Sequence, residues 1–173
     1  YVGADTMGCI LATGMYQDPE LTLMIDIGTN GEMVLGNCEK MVACSTAAGP
    51  ALEGGRIRCG MRGSQGAIDH VWLNEKEKLD FSVIGDGEEK GICGSGLIDA
   101  IAAMLDLGIV NKRGRIQKDY RGEGKERIYD LTEHVFLNQE DIREVQMAKG
   151  AIAAGITLMQ KELNVEIEDI SQV

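Results

Sequence analysis

Residues Leu21, Thr22, Leu23, Met24, Ile25, Asp26 and Ile27 form a nearly continuous apolar run that stops at Gly28. A short run of this kind reads as a buried strand, which needs strands beside it and helices over it, and so commits the chain to an α/β arrangement. Extended character resumes at 32–35 after Thr29, Asn30 and Gly31, and Asn30-Gly31 is a strong hairpin signal. A turn over 37–40 then leads to a third strand at 41–45. The expectation is a three-stranded antiparallel meander that begins with its buried strand.

The rest of the pattern supplies the covering elements. Glycine takes 23 of 173 positions and proline only two, which points to tight turns and close backbone approaches. Residues 2–16 read as a short helix broken by Gln17, Asp18 and Pro19. Residues 46–66 are dense in Gly and Ala and read as loops with one short helix. A second hairpin is expected from strands at 68–73 and 79–84, followed by a polar loop to Gly91. Leu97, Ile98, Ile101, Met104 and Leu105 have helical spacing and end before Gly108, a C-terminal cap. Ile142, Val145, Ala148, Ile152, Ile156, Met159 and Leu163 step by 3, 3, 4, 4, 3 and 4, which predicts one long helix from Gln139 with Asn138 as its N-cap. Residues 171–173 look like the start of a strand. The fold expected is therefore α/β, with a mixed sheet built on the 21–45 strands and covered by helices at 95–107 and 139–163. Tyr1 at the start and an unfinished strand at the end read as a fragment, incomplete at both ends.

Seventeen Lys and Arg face 28 Asp and Glu, a net charge of −11, which opposes sequence-independent binding to nucleic acid. No apolar run approaches the roughly 18 residues of a membrane span. The five cysteines are odd in number and form no C-x-x-C, so reduced, cytoplasmic thiols are expected rather than a disulfide framework or a metal cage. Residues 112–127 carry seven Lys or Arg against three Asp or Glu, a local excess of +4 that reads as a solvated connection or a binding patch.

Three stretches offer chemistry. In Asp26-Ile27-Gly28-Thr29-Asn30-Gly31-Glu32 a buried strand delivers a carboxylate beside a glycine-bearing turn, so backbone N–H groups can cradle an anion while the carboxylate holds Mg²⁺. The same residues also read as a plain hairpin with Asp26 capping its turn. Gly91-Ile92-Cys93-Gly94-Ser95-Gly96 precedes a helix, where Gly94, Ser95 and Gly96 either meet an anion or simply cap, with Asp99 expected in the first turn. No G-x-x-x-x-G-K-[ST] loop occurs. The stretch from Cys44 to Gly54, with Arg56, Arg58 and Arg62 after it, places hydroxyls, a carboxylate and guanidinium groups on small-residue loops. As a nucleophile Cys44 or Ser45 lacks a recognisable base, since His70 and His134 lie in no motif.

LMIDIGTNGEMVLGN, STAAGPALEGGRIRCGMRGSQGAI, GICGSGLIDAIAAMLDLGIV and DIREVQMAKGAIAAGI, in this order and with YVGADT ahead of them, resemble the reductive activators of corrinoid proteins. These are a branch of the acetate kinase, sugar kinase, heat-shock chaperone and actin (ASKHA) superfamily. The resemblance implies an actin-like, ribonuclease H-like ATPase lobe, with the other lobe and a ferredoxin-like 2Fe-2S domain lying outside this chain. Within one fragment, 1–173, it makes 1–16 the helix between lobes and 21–45 the phosphate-loop meander. It makes 46–138 a loop-rich insertion with a hairpin and a helix, and 139–173 the long helix and the start of the last strand. Asp26 would position Mg²⁺ or the attacking water, and Gly28, Thr29, Asn30 and Gly31 would surround the β and γ phosphates of ATP, with Gly94, Ser95 and Gly96 as further contacts. Thr29 and Asn30 stand where the superfamily often has glycine. The implied task is to return a Co(II) corrinoid protein, the partner, to Co(I) with electrons from the 2Fe-2S domain. A small-molecule kinase of the same superfamily and a non-catalytic docking module are the other readings.

Overall fold

Alternating side chains decide which way each strand of the 21–46 region faces. In a computed structural model that describes residues 2–123 and 126–173, the apolar run becomes β1 (Thr22–Ile27), followed by β2 (Gly31–Gly36) and β3 (Met41–Thr46) in an antiparallel sheet of order β1-β2-β3. Leu23 and Ile25 lie beside Leu35 and Met33, and these beside Val42 and Cys44. That face packs on Ile152, Ile156 and Met159 of α3 (Gln139–Leu163). The other face sets Met24 and Val34 against Ile10 of α1 (Ala4–Thr13) and against Met15. α1 stops at Gly14, whose φ of 73° is the left-handed cap that a helix end favours. The strand start expected at 171–173 is present as a parallel bridge between Thr22 and Gln172, with the Leu23 N–H donating to the Gln172 carbonyl at 2.9 Å.

These elements make one of two compact units, residues 1–48 and 149–173; the other is Gly49–Ala148. In the second, β4 (Ala67–Leu73) pairs antiparallel with β5 (Leu79–Val83) and parallel with β6 (Gly91–Ile92), while β7 (Ile128–Asp130) and β8 (Phe136–Asn138) form a separate hairpin. α2 (Gly94–Asp106) packs on β4, with Ile68, Leu97, Met104, Leu137 and Ile142 in the core. One expectation is corrected here. The helix expected over the meander at 95–107 belongs to the second unit, because its buried stripe matches the β4 face. Mixed pairing is present as expected, in the parallel Thr22–Gln172 bridge beside the antiparallel meander and again in β5-β4-β6.

The hairpin also differs from its sequence signal. Ile27 pairs with Gly31, so the loop is Gly28-Thr29-Asn30 and Gly31 is the buried first residue of β2. A Cβ on Gly31 would meet Thr46 Oγ1 at 3.1 Å and Ile152 Cγ1 at 3.4 Å, so its glycine serves a close approach between strand and helix rather than a turn.

Candidate functional site

The period of two puts Asp26 and Glu32 on the α1 side of the meander, directly opposite one another, with Ser45 opposite Glu32 on the next strand. The Ser45 hydroxyl donates to Glu32 Oε1 at 3.2 Å. Facing pairs of this kind have Cβ atoms about 5 Å apart, and two like charges so placed repel. A hard divalent cation between them would offset that repulsion, and carboxylate and hydroxyl oxygens are the donors Mg²⁺ takes. Glu32 was not singled out in the sequence. Its signal lay in the spacing, since positions 26 and 32 face each other across any three-residue hairpin loop centred on Thr29.

The loop beside this rung is drawn inward: the Gly28 N–H donates to the Asn30 carbonyl at 3.0 Å. Thr46 Oγ1 donates to the Gly31 carbonyl at 3.4 Å. Asp26, Gly28, Thr29, Asn30 and Gly31 are therefore gathered at one end of the first unit. Gly94, Ser95 and Gly96 lie in the second unit, in the first turn of α2. There the glycines have packing reasons, since a Cβ on Gly94 would strike the Leu52 carbonyl and one on Gly96 the Ile68 carbonyl. The Ser95 hydroxyl donates to the Asp69 carbonyl at 2.8 Å. Asp99 lies beyond the first turn and binds His70 Nδ1 at 3.0 Å, tying α2 to β4. Gly94 also lines an open cavity of about 690 Å³ with Pro50, Leu52, Glu53 and Arg62.

A sequence model described as the C-terminal domain of RACo, the ASKHA domain, matches residues 20–173. The chain belongs to this family. The corrinoid activation enzyme RamQ of Eubacterium limosum is 38% identical over 193 residues, covering 100% of this chain and 32% of that protein. The Co(II) methylated amine-specific corrinoid protein reductase of Methanosarcina barkeri is 33% identical over 192 residues, 98% of this chain and 34% of that protein. A solved structure described as a reductive activator for corrinoid,iron-sulfur protein superposes with a TM-score of 0.90 and 38% identity over 98% of this chain and 29% of its own. The chain thus spans about a third of the length of the relatives it matches.

Within this ASKHA domain the remaining candidates carry structural roles. A Cβ on Gly155 of α3 would meet Cys44 Sγ at 2.9 Å, and burial raises the Cys44 thiol pKa, which keeps it protonated and a poor nucleophile. All five cysteines are free thiols, and among the described residues no three His, Cys, Asp or Glu gather to hold a metal. An iron-sulfur cluster therefore does not fit these residues, whereas a cation that accepts two carboxylates and water does. The basic stretch is partly committed to the fold: Arg121 chelates Asp130, Arg127 lies over Tyr120 at 4.5 Å, and Lys118 Nζ donates to the Leu107 carbonyl. Lys125 of that stretch lies outside the described residues. Asp141, 1% exposed, accepts from the Arg58 N–H at 2.9 Å and the Asn138 N–H at 2.8 Å, while Asn138 Oδ1 caps the start of α3. Among the described residues no helix is long and apolar enough to cross a membrane.

Proposed function

We propose that this domain is a nucleotide-binding lobe of an ATP-dependent reductive activator that returns Co(II) corrinoid proteins to Co(I). The observation that carries the reading is the 0.90 superposition, at 38% identity, on a reductive activator over 98% of the chain. The rung beside the hairpin loop supports it chemically. Asp26 with Glu32 would hold Mg²⁺, and Gly28, Thr29, Asn30 and Gly31 would lie beside the β and γ phosphates of ATP. Mg²⁺ bound there supplies positive charge against the phosphate oxygens. The Gly28 N–H is spent on Asn30 in this conformation, so its use as a phosphate donor requires the loop to open. At the start of α2, Gly94, Ser95 and Gly96 would offer backbone N–H groups, since the Ser95 hydroxyl is already bonded.

Electrons would come from a 2Fe-2S domain elsewhere in the parent protein, and the other phosphate contacts from its other lobe. The partner is a corrinoid protein, and the free thiols suit a reducing, cytoplasmic setting. Lobe closure on nucleotide would provide the two-state element that ATP biases.

The test is the visible spectrum of a Co(II) corrinoid protein mixed anaerobically with the reduced full-length parent, before and after MgATP. Co(I) appearing with ATP and not with a non-hydrolysable analogue supports the reading. Asp26→Ala is expected to abolish that response without unfolding the protein; wild-type activation by this variant would remove Asp26 from the site. Phosphoryl transfer to a small metabolite instead of hydrolysis would point to a kinase.

A further inference from the structure

Two loops of the second unit clasp the first two turns of α3, and both loops and the helix bring arginine. Asp141 accepts the Arg58 N–H at 2.9 Å, and Glu144, one turn on, is 3.8 Å from Arg56 Nη1. From the other loop, Gln139 Oε1 accepts the Ile116 N–H at 3.0 Å and its Nε2 donates to the Gly114 carbonyl at 2.6 Å. Arg143 Nη1 donates to the Arg113 carbonyl at 3.3 Å and to Gln146 Oε1 at 2.7 Å. Asn111 Oδ1 takes the N–H groups of both Arg113 and Arg115 at 3.0 Å, which fixes that turn.

These bonds use the backbone of Arg58, Arg113 and Arg115, and their guanidinium groups have no hydrogen bond or ion pair with another described residue. Arg56, Arg58, Lys112, Arg113, Arg115 and Arg143 are all exposed, against Glu140, Glu144 and the buried Asp141, on a chain whose net charge is −11. Arg56 has a φ of 61° and a side chain 67% exposed. Glycine adopts that left-handed conformation freely and arginine only at a cost, so the fold retains a cation there against its own backbone preference.

Glu140 decides the size of the ligand. It lines an open cavity of about 680 Å³ with Arg56 and Arg143, and another of about 580 Å³ with Arg58 and Arg121. The guanidinium groups therefore flank a carboxylate instead of converging on one point, which disfavours a small anion and suits a broad acidic surface. We propose that the face made by 56–58, 112–115 and Arg143 docks the corrinoid protein through an acidic patch of that partner. This rests on the function proposed above and names a surface for its partner. The rest of the chain is more negative than the −11 total, so an acidic patch is repelled elsewhere and turned toward this face. Electron-transfer encounters bury little area, and charge steering sets their orientation and rate.

The affinity of the full-length parent for the Co(II) corrinoid protein of the activation assay is measured by isothermal titration calorimetry without nucleotide, at roughly 20 mM and 300 mM salt. Arg58→Glu, Arg113→Glu and Arg115→Glu together should weaken binding about tenfold or more at low salt, and far less at high salt. Arg113→Ala with Arg115→Ala, which removes no bond of the fold, should weaken it several-fold. Lys40→Glu, Lys76→Glu and Lys78→Glu together make the same change in net charge at exposed positions in other turns, and should leave affinity within about twofold of wild type. In the activation assay the arginine variants should raise the KM for the corrinoid protein and keep the rate at saturation. Wild-type affinity in both arginine variants, an equal loss in the lysine control, or no saturable binding by the wild type overturns the inference. If MgATP still yields Co(I) while the arginine variants bind like the wild type, the activator reading stands and only this docking face falls. Salt-dependent binding that the variants lose, with no Co(I) formed by the wild type, keeps the face and removes the activator reading.

Discussion

Two glycines five residues apart on α3 should respond to the same substitution with opposite signs. Gly150 has nothing within 4 Å of a built Cβ, so Gly150→Ala should stabilise by up to about 1 kcal/mol, the difference in helix propensity. Gly155 is buried against the meander, and a Cβ there would meet Cys44 Sγ and Thr46 Cγ2, each at 2.9 Å, and run into Met33 Cε. The methionine end can swing aside, but Thr46 is β-branched and sits on a paired strand, so the helix or strand must shift. Overpacking of this kind costs about 1–3 kcal/mol. The propensity gain is common to both variants and cancels between them, leaving the overpacking as their difference. In a chain of this length each kcal/mol moves the unfolding midpoint by about 2–4 °C, so Gly155→Ala should melt roughly 2–12 °C below Gly150→Ala. Both positions lie in the first unit, so a thermal melt followed by circular dichroism compares them within one unit. Cys44→Ala in the Gly155→Ala background should recover part of the loss. Equal midpoints for the two glycine variants would refute the packing of α3 on β2 and β3 described here.

Other outcomes follow from single contacts. Burial raises the carboxyl pKa of Asp141 above its ordinary 3.8, so the folded state holds that proton more tightly than the unfolded chain. Its contribution is full below 3.8 and is lost as pH climbs from there through the folded-state value. Asp141→Asn removes one of two acceptors for backbone N–H groups and should cost about 1–3 kcal/mol, most at low pH, with the cost shrinking as pH rises through that window in urea titrations. A cost that grows with pH would contradict the sign. Ser95→Ala should lose about 1 kcal/mol with its bond to the Asp69 carbonyl, and ATP-driven activation by the parent should persist, because any anion contact there is made by backbone N–H groups. Loss of activation without loss of stability would give the hydroxyl itself a role.

The elements readable from sequence were those whose signal repeats. The steps from Ile142 to Leu163 cover six helical intervals, and the helix occupies Gln139–Leu163 with Asn138 capping as expected. The meander was legible as an apolar run, a turn and a second run in succession, but its register was not, because Asn30-Gly31 signals a two-residue turn where the loop is Gly28-Thr29-Asn30. What stayed hidden was short or non-local. β6 has two residues and β7 and β8 three each, too few for alternation to rise above chance. That α2 packs on β4 rather than on the meander depends on which apolar faces meet, and periodicity says only that a face exists.

The glycines sharpen where chemistry can sit. Motif reading treats Gly31, Gly94 and Gly96 as candidates for closeness to phosphate, yet each has a neighbour of this chain where a side chain would go: Thr46 and Ile152, the Leu52 carbonyl and the Ile68 carbonyl. The fold requires glycine at 94 and 96 and favours it at 31 whether or not a ligand binds, so their identity alone does not assign a ligand. The same does not hold for the rung. Placing Asp26 directly opposite Glu32 gains nothing for a sheet, and burying the Thr6 hydroxyl without a partner is costly in the folded state. Features that a fold tolerates at a cost are the ones that function retains, and the facing carboxylates lie at the loop end of β1 and β2. The site should therefore be sought first through the polar side chains of that rung, with the glycine-rich turns as its frame.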